Sequence, residues 1–474
     1  MTELTPAVLS PWAGIAGVLG AFGLTLAVLR WAQLRRGLGA VATQKALHAA
    51  MSAVALSLPW LFDADWPLAV LAAVAVATVL AIRFIPALRQ SVGHVLHDGA
   101  ASIGDVSFPL AVWALYVLAD GSAVLYSIPI LLLGIASPVA GLVAERHDVA
   151  RFDDDEDKSQ EGAVAFLFVA FLCVHVPLLL FTPVGRAEAL WIGAIVAVLA
   201  TIVETVSWRG LNNLFVPLGA YAVLVRLLTF DATLLVGHAA VLVGLLGVVA
   251  VLRRETTVGG AGVFGVALVG YLVWALGGTA WLLSPALVFV LYARIWPAGR
   301  EADGLPHDPR RRPHTTSNVF SVSSVGVMWL LAASAFGADL LFPYAVAWSV
   351  AFAFLGVDRM MAARPDWGVA GLTWRAAWRA TLVGIGPVLL VMWLRVWAEQ
   401  TTGAVAGTPA PAHPIALTAV AFGVGLVASA VGAAVLARWK GPIDHDSSPF
   451  AGRVYRAAIV APLSALGLLI AWLA

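Results

Sequence analysis

The sequence predicts an all-α, polytopic bundle of about sixteen membrane-spanning helices, and three observations predict it. Hydrophobic residues make up 61% of the 474 and charged residues only 12%, with a mean hydropathy of +0.92, far from the mixture that soluble domains carry. Apolar runs recur from one end to the other, each near the roughly 18 to 25 residues that cross a hydrocarbon core of about 30 Å as a helix. Lysines and arginines gather in alternate gaps between those runs, as expected when basic loops stay in the cytoplasm.

Taken in order, the first run, 9–29, has no basic residue before it and no convincing cleavage site after it. It reads as a retained span rather than a secretory signal. Arg30, Arg35, Arg36 and Lys45 lie between it and the second, 44–61. Spans 66–86 and 103–119 are separated by Arg83 and Arg89, and 122–144 ends before Arg146, Arg151 and Lys158. Spans 161–182 and 187–206 lead to Arg209, and 212–229 and 232–252 to Arg253 and Arg254. In the second half, 259–276 and 279–296 lead to Arg294, Arg300 and the run Arg310 to Arg312. Spans 318–336 and 339–357 lead to Arg359, Arg364, Arg375 and Arg379, while 375–398 and 414–437 lead to Arg438, Lys440, Arg453 and Arg456 before the last span, 453–473. Of the 28 lysines and arginines only Arg186, Arg226 and Arg395 fall in the other set. The opposite loops are short and acidic or neutral, such as Asp63-Ala64-Asp65. The expectation is a multi-pass protein of the cell's inner membrane with its basic face cytoplasmic and both termini outside.

Two regions follow. Residues 1–254 hold nine spans and the polar motifs; residues 255–474 hold seven spans and the loop Ala298 to Ser317, which carries His307, Arg310 to Arg312 and His314. That loop and the run Asp153 to Asp157 read as solvated connections. The single cysteine, Cys173, rules out a disulfide framework or a cysteine metal site within one copy. The net charge of +1 says nothing about nucleic acid, but no arginine-rich face or aromatic-interleaved basic patch appears, which argues against a nucleic-acid partner.

Four polar groups stand at span edges on the face that the charge map makes cytoplasmic. They are Lys45 with His48; Asp98, Gly104 and Asp105; Lys158, Ser159 and Glu161; and Glu204, Arg209, Asn212 and Asn213. Polar side chains at the edge of hydrocarbon are costly and more often handle a ligand than decorate a surface. Lysine and arginine could meet the charge of a transferred phosphoryl group, and carboxylates with phosphate oxygens could hold Mg²⁺. Neither a G-x-x-x-x-G-K-[ST] loop nor a kinase-type glycine loop is present, which excludes a soluble-type nucleotide fold. Each residue also has a structural reading: Lys45 and Lys158 as snorkelling anchors, His48 as a hydrogen-bond donor, Glu161 as a helix-dipole charge.

At these residues the chain resembles the polyprenol kinase group, which contains phytol kinase and dolichol kinase and is related to phosphatidate cytidylyltransferase. The resemblance covers roughly residues 40 to 230. Lys45-Ala46-Leu47-His48 resembles its K-x-x-H motif, and Gly104 to Pro109 its G-[DE]-x-x-x-P. Lys158 to Phe166 resembles K-S-x-E-G-x-x-A-F, and Glu204 to Pro217 resembles E-x-x-S-x-R-G-x-D-N-L-x-x-P. The resemblance implies transfer of phosphate from a nucleoside triphosphate, commonly CTP, to an isoprenoid alcohol in the bilayer. It implies Lys158 and Arg209 on phosphates, with Ser159, Asn212 and Asn213 in the same nucleotide- and substrate-binding set. Glu161 and Glu204 become candidates for metal binding or base, with Asp105 as a third carboxylate, and His48 and Lys45 lie near the donor. Mg²⁺ is the implied cofactor. Two positions depart from the family pattern: Ser137 stands in place of an acid, and so does Asn212. The second half faintly resembles a membrane family that includes phytyl-phosphate kinase, through Ser317-Asn318-Val319 and Ala428 to Ala433. The alternatives are a catalytically inactive relative acting as a lipid-binding or scaffold protein, supported by the two lost acids, and a transporter.

Overall fold

The structure, a computed structural model, describes residues 10–37, 39–86, 103–146, 159–207, 210–252, 260–295, 316–363, 369–402, 413–439 and 449–473. The described residues are 91% helical with no strand. The chain separates into two compact units, Met1–Val243 and Gly244–Ala474. Unit 1 contains α1 (Pro11–Arg36), α2 (Ala40–Leu61), α3 (Trp66–Phe84), α4 (Gly104–Ala119), α5 (Ala123–Arg146), α6 (Gln160–Phe181), α7 (Arg186–Val206) and α8 (Asn212–Leu227). The division falls inside α9 (Ala232–Leu252). Unit 2 continues with α10 (Gly260–Gly277), α11 (Thr279–Ile295), α12 (Thr316–Phe336) and α13 (Leu341–Ala363). Then come α14 (Val369–Gly384 and Gly386–Thr402), α15 (Pro414–Trp439) and α16 (Pro449–Ala465 and Gly467–Leu473).

These sixteen helices coincide one for one with the apolar runs, but they differ in reach. Nine of the helices in the described residues are long and apolar enough to cross a membrane, and six more are apolar but shorter. The remaining one, α2, has 22 residues but carries Thr43, Gln44, Lys45, His48, Ser52 and Ser57. Helices α4 and α8 have 16 residues each, so at a rise of about 1.5 Å per residue they extend about 24 Å. Both fall short of the hydrocarbon thickness of about 30 Å.

Helix ends in unit 1 follow from local chemistry. Ser10 caps α1 by accepting from Ala13 N–H, Pro11 occupies the first turn, and Gly37 closes the helix with φ 64°, the left-handed conformation that glycine adopts without penalty. Helix α7 is the most enclosed of the candidate spans and ends at the candidate site. Exposed side chains such as Leu24, Val164, Phe168 and Leu180 are apolar, as a bilayer-facing surface demands.

Prolines inside these helices remove backbone donors, and one vacancy is visibly repaired. Pro59 has no N–H for the carbonyl of Ala55. The hydroxyl of Tyr126, itself buried, donates to that carbonyl at 2.8 Å. Helix α5 holds a second irregularity, a π-turn over Leu132–Ala136, whose following residue, Ser137, donates its N–H to the Leu132 carbonyl. Cys173 Sγ reaches the Leu131 carbonyl at 3.7 Å, at the start of that turn.

Unit 2 is organised around α13, which is buried along most of its length, with Tyr344, Trp348 and Phe352 at its centre. Tyr344 donates to the Trp281 carbonyl at 2.9 Å, and Trp329 Nε1 to Ser464 Oγ at 2.7 Å. The Ala428 to Ala433 segment serves packing. A Cβ on Gly432 would stand 2.8 Å from Val350 Cγ1 of α13, and small residues of this kind let membrane helices approach closely. The loop 298–315 and the acidic run Asp153 to Asp157 lie outside the described residues.

Candidate functional site

The sequence-predicted residues that are described converge on one end of unit 1. They come from the starts of α2, α4, α6 and α8 and from the end of α7, and the end of α5 packs among them. Glu204, at the last turn of α7, is 7% exposed. Asn212, first residue of α8, donates its Nδ2 to both carboxylate oxygens of Glu204, at 3.1 and 2.9 Å. The next residue, Asn213, donates to the carbonyl of Gly104 at 3.1 Å, tying the start of α8 to the start of α4. Asp105 stands beside that carbonyl in the first turn of α4.

Phe108, one turn further along α4, meets His48 of α2 edge to face, with ring centroids 5.2 Å apart. His48 Nε2 is buried and has no hydrogen-bond partner. The charges that act on His48 are Lys45 and Glu204, on opposite sides of it in sequence and on different helices. Lys45 lies across Gly141 of α5, where a built Cβ would stand 2.8 Å from its Nζ. A full seven residues along both helices, Gly134 takes Ser52 against its backbone in the same way, so α2 and α5 cross antiparallel on two glycines.

Helix α6 begins against the same stretch of α5. A Cβ on Gly162 would be 3.1 Å from the Ala140 carbonyl and from Ala144 Cβ. Ser159 is buried and caps α6 by accepting from Gly162 N–H at 3.0 Å, so its hydroxyl does structural work rather than facing a ligand. Glu161 in the first turn has one carboxylate oxygen, Oε2, that is buried without a partner. Ser137 is buried at the end of the π-turn. Lys158 and Arg209, both expected on phosphates, lie outside the described residues.

Two features govern what this arrangement can do. Helices α4 and α8 both start without a side-chain cap, and the positive end of each helix dipole there suits an anion. Among the described residues no three His, Cys, Asp or Glu side chains gather closely enough to hold an ion. Glu204 has both carboxylate oxygens engaged by Asn212. Sequence reasoning missed Gly141 as the seat of Lys45; the heptad spacing of Gly134 and Gly141 was its only visible signal. The chain matches no protein-family model, no curated protein and no solved structure.

Proposed function

We propose that unit 1 is an integral membrane phosphotransferase that moves the terminal phosphoryl group of a nucleoside triphosphate, CTP by the resemblance, to an isoprenoid alcohol at the cytoplasmic edge of the inner membrane. The observation that carries this reading is the convergence itself: an ammonium, two uncapped helix starts and a carboxylate oxygen without a partner meet at one end of an otherwise apolar bundle. The uncapped starts and Lys45 suit phosphate oxygens. Lys158 and Arg209 would add charge by resemblance.

Mg²⁺ enters this reading as cargo of the nucleotide rather than as a resident ion. It is held by one or two carboxylates together with phosphate oxygens in such sites, and the free Glu161 oxygen suits one of those positions. Bound there, the ion would offset charge on the transferred group. The protein's own contribution is to exclude water, hold the phosphates and position the acceptor.

A second reading has its own observation. Glu204 and Asn212 satisfy one another, as a site that has stopped using its carboxylate would allow, so an inactive lipid-binding relative remains the alternative. Purified protein in nanodiscs, given CTP and a panel of isoprenoid alcohols, decides between them. Phosphorylated alcohol is expected from the wild type, with a drop of about 100-fold or more in Glu204→Gln. Absence of product with every nucleotide and alcohol tested, from correctly folded protein, favours the inactive relative.

A further inference from the structure

Helices α1, α2, α3 and α4 form an apolar groove lined among others by Phe22, Met51, Leu71, Ala75, Phe108 and Val112. Its walls carry no charged side chain. The two threonine hydroxyls on them donate to their own helices, Thr25 to Ala21 O at 2.8 Å and Thr78 to Val74 O at 2.7 Å. Its rim residues Leu19, Val74 and Trp113 are 37%, 38% and 38% exposed, so the groove opens sideways toward the bilayer. On α3 the lining runs from Leu68 to Thr78, about 15 Å of helix.

One end of this groove reaches the polar site. Phe108 belongs to the groove wall and to the edge-to-face contact with His48, and Met51, another wall residue, lies one turn along α2 from His48. The nitrogen that stands at this junction, His48 Nε2, is buried and unpartnered. Lys45 lies a turn beyond, away from the groove. The geometry points to a single hydrocarbon chain ending in a hydroxyl. A charged headgroup has no counter-charge along the groove, whereas a hydroxyl at its end can donate to Nε2.

We propose that the groove seats the tail of the acceptor alcohol and that His48 Nε2 takes the hydroxyl proton, a proposal that rests on the phosphotransferase reading for its second half only. In the step, the alcohol oxygen forms a bond to the terminal phosphorus of the nucleoside triphosphate as its proton passes to Nε2. The bond from that phosphorus to the bridging oxygen breaks, and its electron pair leaves with the nucleoside diphosphate. His48, which the resemblance set beside the nucleotide, is thereby assigned to the acceptor.

Two measurements on the full chain in nanodiscs test this. A diazirine-bearing isoprenoid alcohol is photocrosslinked and the labelled peptides mapped. Label on α1 to α4 groove residues, lost in Ala75→Trp, supports the groove. Label elsewhere, label unchanged in Ala75→Trp, or label competed equally by phosphatidylcholine overturns it. In turnover, Ala75→Trp is expected to shift preference to shorter alcohols, a change that misfolding does not produce. His48→Gln is expected to lower kcat about 100-fold or more while leaving the KM for CTP unchanged; an unchanged kcat overturns the base assignment. Groove labelling without phosphorylation of any alcohol would sink the phosphotransferase reading and the base with it, and leave the groove standing. Phosphorylation with label elsewhere does the reverse.

Discussion

Asn212 holds Glu204 by donating its amide to both carboxylate oxygens, and this gives the departure from the family pattern a physical account. Two carboxylates in those places would repel one another in a buried setting unless a cation joined them; an amide removes the repulsion and supplies the donor. Asn212→Asp is therefore expected to make the thermal stability of unit 1 depend on Mg²⁺. Adding the ion should raise the unfolding temperature of the variant and leave the wild type unmoved. No difference in the Mg²⁺ response between the two would show that the pair does not behave as described. Tyr126 offers a second case. Without its hydroxyl the Ala55 carbonyl, already deprived of a donor by Pro59, is orphaned in the core, so Tyr126→Phe should cost about 1 to 3 kcal/mol, read by chemical or thermal denaturation in detergent. At this scale the sequence was partly legible. Glu204 and Asn212 could be placed at neighbouring span ends from hydropathy alone, but their hydrogen bond depends on how the chain turns between α7 and α8. Lys45 over Gly141 depends on a crossing between helices nearly a hundred residues apart, for which one sequence carries no direct signal.

Among elements, the short helices α4 and α8 are bound to each other at their starts through Asn213 and Gly104. A helix about 24 Å long whose far end reaches the opposite interface begins below the near one. The glycines that bring α2 against α5 separate structure from function. Gly134→Ala places a methyl against Ser52 Cβ, close to the backbone, and is expected to destabilise by about 1 to 3 kcal/mol. Gly141→Ala displaces only the far end of the Lys45 side chain, so the fold should survive while activity or nucleotide binding falls. Equal loss of stability in both variants would mean that the Lys45 contact is structural. The sixteen elements themselves were legible because apolar length alone dictates a helix in lipid. What hydropathy could not show is that α2 lays Lys45 across Gly141 of α5 and His48 against Phe108 of α4.

For the whole molecule, the expected orientation has a clean test. Cys173 is the chain's one cysteine, and it is buried. A Cys173→Ser background therefore allows single-cysteine labelling. Ala64→Cys, between α2 and α3, should react with an impermeant maleimide in intact cells, whereas Glu145→Cys, at the end of α5, should react only after permeabilisation. The opposite pattern would invert the topology and place the candidate site on the outer face. Unit 2 has a closely packed core of its own around α13, and its Ala428 to Ala433 stripe is accounted for by helix contact, so the polar convergence of unit 1 has the stronger claim to chemistry.

The π-turn in α5 bears on how such a site tolerates insertion and deletion. A π-turn holds one residue more than the α-helical turn it replaces, and one residue corresponds to about 100° of rotation. The wider turn absorbs that residue, so everything after Ala136, including Gly141 beneath Lys45 and Ala140 against α6, keeps the facing it would have in an ordinary helix one residue shorter. Deleting Ile135, which points outward at 44% exposure, should therefore restore an ordinary helix with an intact apolar span and leave Gly141 facing α2. Membrane insertion and the site should both survive that deletion, whereas removing one residue between Ala136 and Gly141 should turn Gly141 away from α2 by about 100°.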